Sequence, residues 1–124
     1  MVGLHQTVGG LVVVAWIVVT ILAAIEAGTG RRQWTRPASF VAAALLLLQY
    51  VLGFGLLGNG QQNSAGHYII ALLILIPVAV QQTSEKRMST QARGTAVVIT
   101  SLAAAFLAVI AYLSGTWGAS VPTP

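Results

Sequence analysis

The 124-residue chain carries six Lys or Arg and two Asp or Glu, a formal charge of +4, and 56% apolar residues. A soluble domain of this size carries about a quarter charged residues, so the composition excludes a water-facing surface and makes lipid the matching solvent. The basic residues fall in two short clusters rather than on a face with base-reading partners, which excludes nucleic acid as a partner, and the lack of cysteine excludes disulfides, thiolate metal sites and covalent c-type haem.

Residues 1–10 have no basic stretch before the apolar run, so no cleaved signal peptide is expected. Val2 in second position excludes N-myristoylation. A bilayer core takes about 20 apolar residues of helix. In chain order, such spans are predicted over about 4–27, 37–57, 65–82 and 94–117. Pro37 suits the first turn of the second span, where its missing N–H costs nothing. Pro77 lies inside the third span and should kink it. Trp16 falls mid-span, whereas Trp34 and Trp117 fall where interfacial aromatics belong. Three short connections make sequential helices antiparallel neighbours. The expected fold is all-α: a four-helix transmembrane bundle, up-down-up-down, forming one membrane domain over 1–124.

Charge sets the orientation. Glu26, Arg31, Arg32 and Arg36 flank the first connection, and Glu85, Lys86, Arg87 and Arg93 occupy the third. The connection over 58–64 and the tail after Trp117 carry no charge. The positive-inside rule then places the first and third connections in the cytoplasm and both termini outside, with a prokaryotic plasma membrane as the expected location. Glu26 can pair with Arg31 or Arg32. The basic clusters set topology and can also contact anionic lipid.

Polar groups within the bilayer are the functional candidates. They are Gln6, Thr7, Thr20, Gln49, His67, Thr100, Ser101 and Ser114, with His5 at the outer edge. The two histidines open the first and third spans. These spans run in the same direction, so both imidazoles lie toward the outer leaflet. His5 has Gly9 four residues on, and His67 has Ala71 four residues on. Residues four apart share a helix face, so each small residue leaves flat space beside its histidine. A porphyrin held edge-on between helices requires such space. Gly53 and Gly55 add small residues at the outer end of the second span. Methionine is the other common axial ligand, but the only candidates are Met1 and Met88, and Met88 falls in the cytoplasmic connection, which leaves a bis-histidine pair as the two-ligand arrangement that reaches across the bundle. Alternatively, each histidine is a polar interfacial residue or a local cap. Gln81 and Gln82 lie about 21 Å inward of His67, and Arg31 about 39 Å inward of His5. His5 is therefore expected to sit shallower than His67 unless the first helix tilts more.

Gln49 points either to the cofactor pocket or to a neighbouring helix, as a hydrogen bond worth about 0.6 kcal/mol. The fourth span is rich in Ala, Ser and Gly, which suits close packing within the bundle or docking of another subunit or a second copy.

The segment Leu47-Leu48-Gln49-Tyr50-Val51-Leu52-Gly53, followed by Gly66-His67-Tyr68-Ile69-Ile70-Ala71, resembles the pattern of heme A synthases and related membrane b-type cytochromes. In that family a bundle half carries one histidine and another two helices later, with a Leu-Gln-x-x-Leu-Gly-like segment between. The separation of about sixty residues between His5 and His67 is similar, and the resemblance covers about 5–80. It implies haem b held between His5 and His67, in an electron-transfer protein or a subunit of a respiratory or photosynthetic complex. The family's active half has a glutamate three residues before the first histidine and an arginine directly after it, where this chain has Val2 and Gln6. Hydroxylating haem chemistry is thus not implied. A cofactor-free accessory subunit, a chlorophyll-type magnesium site on the same histidines, and a half-size heme A synthase-like enzyme are the competing readings.

Overall fold

The computed structural model describes residues 2–31, 34–84 and 89–118. Arg32, Glu85, Lys86, Arg87 and Met88 lie outside the described residues, as does the side chain of Trp117. The described residues form five helices: α1 (Val2–Thr29), α2 (Thr35–Gly58), α3 (Ala65–Leu73), α4 (Leu75–Ser84) and α5 (Thr90–Gly118). Because α3 and α4 together make one span, the described residues hold four helices long and apolar enough to cross a membrane. These overrun the predicted spans by a few residues, as Val2–Thr29 does over 4–27. Gly30 at φ +67° and Gly60 at φ +80° adopt the left-handed backbone that ends α1 and turns the chain after α2.

Pro77 acts as expected. It has no N–H for the Leu73 carbonyl, and its ring crowds that carbonyl. The helix is interrupted at Ile74, where the bonds Ile74 N→Ile70 O and Val78 N→Ile74 O are stretched to 3.3 and 3.4 Å. The Tyr50 hydroxyl donates to the Ala71 carbonyl just before the break.

Helices α1 and α5 form the centre. In the most apolar stretch of each, 33% of residues are buried, against 11% in α2 and in the third span. Trp16, Val19 and Ala23 of α1 are fully buried against Ala42 and Leu46 of α2, Ile74 and Val78, and Val97 and Ala104 of α5. Phe54, Val51, Ile99 and Phe106 face outward, as lipid-facing side chains would. The small residues Ala104, Ala105, Ala108 and Ala111 are buried in this bundle's own core, so packing within the bundle is the role these four fill.

Helices α1 and α5 approach backbone to backbone at Gly94. A Cβ built there would stand 2.7 Å from the Ala27 backbone nitrogen and 2.9 Å from its Cα. Backbone cannot yield as a side chain does, so this position requires glycine. The approach seats the Arg93 guanidinium on the Glu26 carboxylate, which is wholly buried. The partner of Glu26 is therefore Arg93, not the expected Arg31 or Arg32. Breaking a buried pair from one side costs about 3–5 kcal/mol, because the other charge is stranded.

Further polar side chains satisfy one another between helices. Thr20 donates to Ser101 Oγ at 2.9 Å. Ser39 Oγ accepts from Gln81 at 2.6 Å and from Gln82 at 3.1 Å, and Thr100 donates to Gln81 Oε1 at 3.1 Å. Trp16 is mid-helix and buried, and Trp34 is 74% exposed, as an interfacial aromatic would be.

Substituting Gly94 separates these effects. Gly94→Ala should force α1 from α5 and destabilise the bundle by about 1–3 kcal/mol. Gly28→Ala, with nothing within 4 Å of the added carbon, should not. Thermal unfolding of both variants in detergent checks this.

Candidate functional site

Both histidines reach one end of the bundle, where the start of α1, the start of α3, the second half of α2 and the end of α5 meet. Their ring centres are 6.3 Å apart, with an interplanar angle of 70°. His5 lies near the start of α1 and His67 near the start of α3, and the bundle brings the two rings together.

Each ring is seated by local sequence. Ser64 caps α3, its hydroxyl accepting from the His67 backbone N–H at 3.3 Å. The preceding Asn63 is fixed in turn. Its N–H donates to the Tyr68 hydroxyl at 2.8 Å, and its Nδ2 donates to the Gly115 carbonyl at 3.1 Å. The His67 ring lies over Gly115, where a Cβ would come within 3.0 Å of its Cε1. His67 Nδ1 meets the Ala111 carbonyl at 2.9 Å and the Ser114 hydroxyl at 3.4 Å. Because a carbonyl only accepts, Nδ1 carries the proton and the Nε2 lone pair is left free.

His5 is held differently. Its ring packs on Gly53, where a Cβ would lie 3.4 Å from Cε1. Its Nε2 is 3.2 Å from Gln49 Nε2. The space beside Gly9 is taken by the Gln49 amide and the Tyr112 ring, at 3.0 and 3.4 Å from a built Cβ. His5 Nδ1 and Gln49 Oε1 are both buried with no hydrogen-bond partner among the described residues. Reversing the amide does not cure this: one ring nitrogen and one amide atom stay unpaired in either assignment. An unpaired buried polar atom costs about 1–3 kcal/mol.

A cavity of about 750 Å³ opens beside the pair. This falls within the range of roughly 300–1,000 Å³ typical of ligand sites. His5, Gln49, Gly53, His67 and Ala71 line it, as does Gly9. Gln6, Gln61, Gln62 and Asn63 supply polar groups, and no Lys or Arg lines it. Two imidazoles bound about 2 Å from one metal on opposite sides have ring centres roughly 6 Å apart, which matches the observed separation. Among the described residues no group of three or more His, Cys, Asp or Glu gathers.

Sequence reasoning brought together the six residues expected here. It named Ser114 only as one of the polar residues within the bilayer and did not place it here, and it missed the rest of the share of α5, the Ala111 carbonyl, Gly115 and Tyr112.

If the Ala111 carbonyl orients the ring, nitrogen NMR of histidine-labelled protein will find His67 protonated at Nδ1. Gly115→Ala, which pushes on Cε1, will shift that resonance and leave the His5 ring unaffected.

No family model matches the chain, and neither a curated protein nor a solved structure does, so the functional reading rests on the site itself.

Proposed function

We propose that this chain is a small membrane protein of the b-type cytochrome kind, holding one haem b through His5 and His67 near the outer face. The single observation that carries this reading is the meeting of the chain's two imidazoles, 6.3 Å apart, on the wall of one cavity. The residues present fit the group on two counts. The ring separation would let His5 and His67 hold one metal between them. The Ala111 carbonyl orients one imidazole as outer partners of metal-bound histidines do.

Bound haem would supply one-electron transfer. The protein's part is to hold two nitrogens in place and keep the centre in an apolar setting. Carboxylates of the cofactor would meet amides of Gln61, Gln62 and Asn63 at the cavity's polar side rather than any cation. Val2 and Gln6, in place of an acid and a cation, favour electron transfer or a place in a respiratory or photosynthetic complex over heme A synthase-like catalysis.

The proposal includes an arrangement in the membrane. The helices run up-down-up-down, with Arg31, Arg36, Glu26 and Arg93 at the cytoplasmic end and the histidines toward the outside. The contacts support it: Gly9 lies by Tyr112, Thr20 by Ser101 and Glu26 by Arg93. The plasma membrane of a prokaryote is the proposed location.

A redox difference spectrum of purified protein tests the haem. A b-type absorbance is expected, with loss of most of it in His67→Ala and an altered band in His5→Ala. A colourless wild type, or variants with an unaltered spectrum, would refute the reading, and extraction of a magnesium pigment would replace it. The orientation has its own check, since the chain lacks cysteine. A cysteine placed at Gln61 should react with an impermeant reagent added to intact cells, and one placed at Arg31 only after lysis.

A further inference from the structure

The two histidines are held unequally. His67 donates Nδ1–H to the Ala111 carbonyl at 2.9 Å, and among the described residues no hydrogen bond reaches its Nε2. That bond steadies the ring without using the nitrogen a metal needs. His5 has the reverse arrangement. The Gln49 amide lies 3.2 Å from Nε2 itself, and Nδ1 has no partner. Whichever way the amide is turned, it engages the Nε2 position: its NH₂ donates to the lone pair, or its oxygen accepts the proton that a ligating nitrogen must lose. Gly9 makes this possible. A Cβ there would stand 3.0 Å from Gln49 Nε2, so a larger residue would push the amide away from its place against α1 by a few tenths of an ångström.

We propose that Gln49 is a positioning residue that competes for His5 Nε2, making His67 the permanent axial ligand and His5 an exchangeable one, so that the centre admits a small neutral ligand at the His5 position. The inference rests on the haem reading above. One iron–nitrogen bond breaks, one bond to the incoming ligand forms, and no electron moves. The released Nε2 is taken by the Gln49 amide. Without that amide the released ring would be left unpaired in an apolar setting, which would drive it back to the metal.

Carbon monoxide is the probe, added to reduced, haem-loaded protein and followed by absorbance. Wild type should give a carbon monoxide spectrum. Gln49→Leu should need about tenfold more carbon monoxide for half-saturation, the worth of one hydrogen bond. Gly9→Ala, which displaces the same amide, should act in the same direction. In the His5→Ala background there is no ring to capture, so adding Gln49→Leu should leave the affinity unchanged. A purely structural role for Gln49 would not produce that dependence on His5. Pigmented wild type that ignores carbon monoxide overturns the inference while the haem reading stands, as does equal affinity in wild type and Gln49→Leu. Protein without b-type absorbance overturns both.

Discussion

A polar side chain inside an apolar bundle has no water to turn to, so its partner must come from the protein. That constraint organises the interior. The Glu26 carboxylate is matched by Arg93, the Ser39 hydroxyl by two glutamines, and Thr20 by Ser101. Each pairing joins different helices, so the polar groups also fix which helix faces which. Apolar packing alone would do this poorly, since lipid tails are as apolar as the Leu and Val side chains they would replace. The Gly94–Ala27 approach is the steric counterpart, letting two backbones come close enough for the ion pair beside them to form.

The end bearing the histidines breaks this rule in one place. Almost every polar atom there is satisfied: Asn63, Tyr68, His67 and Ser114 form a connected set with the Ala111 and Gly115 carbonyls. The exceptions are a nitrogen of His5 and an oxygen of Gln49, which lie together beside the cavity. Trp16 Nε1, Thr35 Oγ1 and Glu26 Oε2 are also buried without a hydrogen-bond partner among the described residues. What sets the His5 and Gln49 atoms apart is that they belong to neighbouring side chains lining one cavity, beside the chain's two imidazoles.

The helices were legible because apolar length is a strong signal, and the break at Ile74 because a proline inside a span has one mechanical outcome. Four of the six candidate residues came from one simple relation, histidines at matching ends of alternate spans with small residues one turn on, and Gly53 and Gln49 from the composition of the second span. Three things were not readable. The partner of Glu26 could not be chosen, because Arg93 lies far away in sequence and becomes near only through the Gly94 contact. The Ala111 carbonyl was invisible, since any backbone carbonyl can be an acceptor and only the rotation of α5 selects one. The occupant of the space beside Gly9 was also hidden. A glycine tells of room on a helix face but not which neighbour fills it, and here Gln49 and Tyr112 do.

The interruption at Ile74 divides the third span into two segments with different anchors. The lower segment, Leu75–Ser84, is tied to α2 and α5 through Gln81, Ser39 and Thr100. The upper segment, Ala65–Leu73, carries His67 and is joined to the lower by two stretched backbone bonds. That upper segment has its own anchors, the Tyr50–Ala71 and His67–Ala111 bonds, so the two ends of one span are fixed independently on either side of the break.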